Sequence, residues 1–155
     1  MKQIFSQLFY EVEKGRDTVL VTLIADRGSA PRKAGAQMLV GAEGRLVSTI
    51  GGGAVEGRSI QLCRELLDQR RSCIREFPLH QAPEQDIGMV CGGDVTAHFQ
   101  FIPAEDPLWN DTASRALALL EQHTAGWLVL AEDGAVRSIL CAPGMTMRFP
   151  NGRSL

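Results

Sequence analysis

No apolar run in this chain approaches the ~20 residues that a bilayer-spanning helix requires, so no membrane-embedded role is expected. Positive charge is not in excess either: 16 Lys and Arg stand against 18 Asp and Glu, for a formal net charge of −2 and a pI near 5.9. That balance argues against a nucleic-acid-binding surface spread over the whole protein. Cysteine is sparse and scattered. Cys63, Cys73, Cys91 and Cys141 form no C-x-x-C pair, so their spacing suggests no zinc site. The opening residues lack the uninterrupted apolar core of a signal peptide, because Glu11, Glu13 and Lys14 arrive early. A cytoplasmic location is therefore expected, where disulfides are rare. Internal repeats and low-complexity segments are also missing.

What is present is the composition of a soluble globular protein. The 155 residues are 45% apolar and 22% charged, enough for one domain with a real core. Ile4, Phe5, Leu8, Phe9 and Val12 recur on one helical face, with Gly15 as the stop. Thr18 to Ile24 is β-branched and nearly continuous in apolar character, the pattern of an interior strand. Gln37 to Val40 and Arg45 to Ile50 flank a short hairpin connection. From Ala54 to Leu67 the spacing predicts a helix burying Val55, Ser59, Leu62, Cys63, Leu66 and Leu67. Ser72 to Leu79 reads as a weaker strand, and Asp94 to Ile102 as a clear one ending at Pro103.

Residues 104–110 read as a linker, after which Asn110 or Asp111 caps a helix through Leu120. Gly126 to Ala131 and Ala135 to Leu140 are joined across Asp133-Gly134, a strong hairpin signal. Hairpins mixed with helical crossovers predict one domain of the α/β or α+β class, a mixed sheet with flanking helices. Within it, residues 1–103 form the main unit, 104–141 a helix-plus-hairpin extension, and 142–155 a Pro- and Gly-rich tail or linker.

Three unusual loops adjoin strands: Gly28 to Gly35, Gly51 to Gly57, and Cys91 to Asp94. In sheet-based folds, sites are assembled from such loops at strand ends. Gly51-Gly52-Gly53 precedes a helix, where unpaired N–H groups and the helix dipole suit a phosphate or similar oxyanion. A tight strand-to-helix turn without ligand is the plain alternative. The run is not G-x-G-x-x-G, so a dinucleotide fingerprint is not met. Arg32 and Lys33 offer a fork and a point charge to an anion, or simply a solvated loop. Glu56, in the first helical turn, either answers the dipole or accepts N–H donors of a heterocycle. Cys91, followed by Gly92 and Gly93, has open backbone on one side. Its thiolate would serve as a nucleophile or as a ligand to a soft metal. No histidine is placed by sequence to partner it, and His80, His98 and His123 read as surface, strand and helix-end residues.

Gly28-Ser29-Ala30-Pro31-Arg32, Gly35 to Val40, and Thr49-Ile50-Gly51-Gly52-Gly53-Ala54-Val55-Glu56 together resemble the N-terminal domain of the XdhC/CoxI family. Met89-Val90-Cys91-Gly92-Gly93-Asp94 is similar to that family's second signature. The resemblance spans roughly residues 1–103. It implies an accessory protein, more a cofactor chaperone than a catalyst. Such a protein binds the molybdenum cofactor (molybdopterin) transiently, favours its sulfurated form and delivers it to an apo molybdenum hydroxylase of the xanthine dehydrogenase type. A cysteine desulfurase and a second copy of the chain are further expected partners. Ser29, Arg32, Lys33, Gly51, Gly52, Gly53, Glu56, Cys91, Gly92 and Gly93 are the residues the resemblance and their chemistry assign to the cofactor, with Cys91 facing the metal. Two departures stand out. Ser48 occupies a position often glycine in the family. Nothing after Pro103 shows the glycine-rich turn of the Rossmann-like C-terminal domain that many members carry, so a split, truncated or variant member is expected. Two other classes fit the same loops: a thiol-dependent sulfur-handling or nucleotide-processing enzyme using Cys91, and a pure protein-interaction module.

Overall fold

Eleven residues from Thr18 to Gly28 form the strand on which the sheet is built, β1. The computed structural model describes residues 1–28, 32–78, 93–129 and 139–141. The chain begins with α1 (Lys2–Glu13), which Gly15 stops at φ +67 with its N–H on the Val12 carbonyl. After β1 come the hairpin strands β2 (Gln37–Gly41) and β3 (Gly44–Ser48), then helix α2 (Gly53–Gln69). Next are β4 (Cys73–Pro78), β5 (Gly93–Ile102), α3 (Pro107–Glu121), β6 (Trp127–Val129) and β7 (Ile139–Cys141).

The main sheet has the order β3-β2-β1-β5-β4, and β6 pairs with β7 in a separate two-stranded ribbon. Every described pairing is antiparallel. The expected mixture of strand directions is thus corrected, and of the two classes anticipated the chain is α+β. The physical reason lies in α2. It carries the chain from β3 at one edge to β4 at the other, so the crossover never sets two parallel strands side by side.

The sheet is covered on both faces. Val19, Val21, Leu23, Met38, Val40, Val95, Ala97 and Phe99 pack with Val55, Cys63 and Leu66 of α2. On the other face, Leu20, Leu39 and Ile102 pack with Ile4, Phe5, Leu8 and Val12 of α1 and with Trp109, Ala113 and Ala116 of α3. Burial on both faces explains why β1 lacks alternation. In α2, Leu62 and Leu67 are half-buried while Glu56 is buried, a correction to the expected apolar face.

The segment read as a linker is helical from Pro107 onward. Asp106 caps α3 by accepting from the Leu108 N–H at 2.9 Å, and Pro107 takes the first helical position, where no N–H is needed. Trp109, 1% exposed, is a core residue; truncating such a side chain costs about 3–5 kcal/mol. The turn expected at Asp133-Gly134 and the tail from residue 142 lie outside the described residues.

Candidate functional site

Strand directions bring the three loops to one end of the sheet. β1, β3 and β4 finish there, and β2 and β5 begin there. The end is stepped. β1 pairs with β2 only as far as Thr22↔Gln37, but with β5 as far as Gly28↔Gly93. Those six further residues carry β1, with β4 and β5, about 20 Å beyond the β2–β3 hairpin. The glycine turn before α2 lies at the lower step, and the Gly28 and Gly93 strand ends lie at the upper one.

At the lower step the turn is built around Glu56. Its carboxylate, 9% exposed, receives Arg45 Nη1 on Oε1 at 2.6 Å. Oε2 accepts from the Thr49 hydroxyl, the Ile50 N–H at 3.2 Å and the Gly52 N–H at 3.0 Å. The Gly51 N–H donates to Thr49 Oγ1 at 3.1 Å. Burial opposes the charged form, but these donors outweigh it and hold the carboxyl below its ordinary value. The pattern is akin to a capping box, in which a first-turn carboxylate reaches back to the helix start. Two of the three glycine N–H groups expected for an external oxyanion, those of Gly51 and Gly52, are therefore spent inside the chain. Glu56, anticipated as a ligand contact, commits its carboxylate to the loop itself.

The backbone explains the glycines. Gly51, Gly52 and Gly53 have φ of +128, +75 and +63, and Gly52 with ψ −167 occupies a region essentially reserved for glycine. Ser48, just before, also has positive φ, +65. A Cβ on Gly52 would meet nothing within 4 Å, so the turn presents open backbone on that side.

At the upper step, Asp26 gathers the basic loop. Its Oδ1 accepts from the Ala34 N–H at 2.8 Å and its Oδ2 pairs with Lys33 Nζ at 3.0 Å. The amide and the ammonium lower the Asp26 pKa. Lys33 is thus partly neutralised. Arg32 is exposed and forms no ion pair among the described residues. Gly93 opens β5 opposite Gly28, joining the first and third loops by register. Ser29, Cys91 and Gly92 lie outside the described residues. Among the described residues no group of three or more His, Cys, Asp and Glu side chains is placed to hold a metal.

One feature is invisible in the sequence. The β1–β5 register slips between Leu23 and Ala25, a bulge at Ile24. Beyond it the parity of β1 reverses: Ala25 and Arg27 stand across from Thr96 and Asp94, on the face opposite to Leu23. A cavity of about 340 Å³ opens there, lined by Arg27, Glu76, Pro78, Asp94 and Thr96 among others. Of these, Asp94 alone falls within a sequence signature noted above; Arg27, Glu76, Pro78 and Thr96 belong to none.

The fold and its loop end define an α+β domain with helices on both faces of an antiparallel sheet and glycine and basic loops gathered at one end. Residues 11–78 match the profile of the XdhC and CoxI family. It is 33% identical over 133 residues to the molybdenum cofactor insertion chaperone PaoD of Escherichia coli K12, covering 85% of this chain and 39% of PaoD. It is 33% identical over 134 residues to a probable xanthine dehydrogenase subunit of Bacillus subtilis 168, covering 79% of this chain and 40% of that one. The chain thus spans about two fifths of these relatives. A crystal structure described as a xanthine dehydrogenase from Bacillus halodurans shares the fold, with a TM-score of 0.71 at 20% identity over 91% of this chain and 42% of the other.

Proposed function

We propose that this domain binds the molybdenum cofactor transiently at the loop end of its sheet and assists its insertion into an apo molybdenum hydroxylase. The observation that carries the reading is that the Gly51–Gly53 turn and the Gly28 and Gly93 strand ends lie at the same end of the sheet, on its two steps. The family-profile match over residues 11–78 and the printed role of PaoD support it.

The donor set suits such a cargo. Molybdopterin carries a phosphate and an N–H-rich pterin edge; Arg27 and Arg32 are exposed guanidinium groups of the upper step, and the Glu76 carboxylate lines one cavity with Arg27. The helix N-terminus is the poorer phosphate seat, because the Ile50, Gly51 and Gly52 amides already have acceptors. Ser29, Cys91 and Gly92 complete the upper loops in sequence, and a Cys91 thiolate would supply a soft ligand to molybdenum. Sulfuration of the cofactor, a cysteine desulfurase partner and a homodimer belong to the same proposal.

The test is absorbance and metal analysis of protein purified anaerobically from a molybdenum-replete host, followed by titration with released cofactor. Co-purifying molybdenum and pterin chromophore are expected. Binding no stronger than that of an unrelated acidic protein would overturn the reading.

A further inference from the structure

The geometry points to a ligand subsite on the sheet face across β1, β5 and β4, in which Arg27 takes an anionic group and Glu76 takes the N–H edge of a heterocycle. It rests on the cofactor-binding reading above and deepens it, giving the pterin and the phosphate separate seats on residues that no motif marks.

The bulge at Ile24 makes the subsite. Without that one-residue slip, Arg27 would share the face of Leu23, toward α2; with it, Arg27 stands over Asp94 on the opposite face. Glu76 reaches the same face from β4, because it pairs with Thr96. Arg27 and Glu76 are two strands and two residues apart, a backbone diagonal of about 12 Å at ordinary sheet spacings. Neither forms an ion pair among the described residues, although both are charged and line one cavity. A fused-ring heterocycle with an appended phosphate bridges such a span. The cavity of about 340 Å³ lies within the range of small-molecule sites. Thr96, between the two charged strands, adds a hydroxyl to the floor.

The contrast with the larger cavity near the hairpin turn is informative. That space, about 560 Å³, is lined by Glu11, Arg16, Asp17, Arg70 and Glu105 among others. Its arginines are committed: Arg16 to Glu11 at 2.7 Å, and Arg70 to Asp17 at 2.6 Å and to Glu105. Charge there closes on itself, while Arg27 and Glu76 carry no ion pair among the described residues; of the other two carboxylates that line their cavity, Asp26 is paired with Lys33 and Asp94 stands across from Arg27.

The experiment titrates the wild-type chain and the Arg27→Ala, Arg27→Lys and Glu76→Gln variants with two probes, released molybdenum cofactor and phosphate-free 6-hydroxymethylpterin. Thermal melts confirm that each variant is folded; both sites are exposed, so unchanged melts are expected. Glu76→Gln should weaken both probes at least tenfold. Arg27→Ala should weaken the cofactor at least tenfold and the pterin less than twofold, with partial recovery in Arg27→Lys. If the wild type binds cofactor and the variants bind it equally well, the subsite is wrong and the cofactor reading stands. If the wild type ignores cofactor but binds the pterin in a Glu76-dependent way, the subsite stands and the cofactor reading falls. Binding of neither probe by the wild type overturns both.

Discussion

Arg45 Nη1 lies 2.6 Å from Glu56 Oε1 and so ties the β2–β3 hairpin to the first turn of α2 across eleven residues of sequence. Through that bond, one carboxylate fixes where the sheet ends, how the glycine turn is folded and where the helix begins. The loop's shape is therefore set before any ligand arrives, which lowers the ordering cost of binding.

Glu56→Gln tests that role through pH. Because the folded carboxyl titrates below its ordinary value of 4.5, its contribution is fully present above that pH and is lost as pH falls through the lowered value. Loss of a buried, charge-assisted acceptor costs about 2 kcal/mol. Urea unfolding should show that difference at pH 7, and the two proteins should converge as the pH falls from 4.5 through the lowered value. A gap of the same size at every pH would show that the carboxylate's charge is immaterial.

Gly52→Val should cost about 1–3 kcal/mol, because φ +75 with ψ −167 is open almost solely to glycine. The space beside it is empty, so strain and not collision sets the cost. If a ligand approaches this turn, a folded variant should also lose affinity by more than its stability loss. Normal affinity in a folded variant would remove the turn from the site and leave the upper step alone.

Ser48→Gly should be neutral or stabilising by up to about 1 kcal/mol. Relief of the left-handed strain, roughly 1–2 kcal/mol, is partly offset by glycine's greater freedom in the unfolded chain. Ser48→Val, at the same φ of +65, should lose stability. Paired melting curves decide it. A marked drop for the glycine variant would mean that the Ser48 side chain contributes an interaction of its own.

Thiol reactivity should follow burial. Cys63 is fully buried, and burial with the neighbouring Cys73 pushes its pKa up to about 12, so alkylation should be slowest there. Cys73, half-buried and with its pKa raised by burial against the pull of Arg75 and Arg71, should be intermediate. Cys91 should react fastest and be shielded by bound cofactor. Timed alkylation with peptide mapping gives the ranking, and labelling of Cys91 as slow as that of Cys63 would make it a packing residue.

Local pattern in the sequence determined much of this protein. The helical period of Ile4, Phe5, Leu8 and Val12, the unbroken apolar run of β1 and the glycine signals each act within a few residues, and each gave the element observed. The three loops were identifiable for the same reason, since a triple glycine marks a backbone that other residues do not adopt. Pro107 and Asp106 carried a helix-start signal as well, and the linker reading passed over it. Tertiary structure alone decided the rest. That Glu56 folds inward depends on Arg45 and Thr49 being brought to it by the hairpin, a meeting no spacing rule contains. The antiparallel sheet follows from α2 spanning it edge to edge. Arg27 and Glu76 share a cavity because one extra residue in β1 reverses the strand's parity against β5, and register is a property of two strands together.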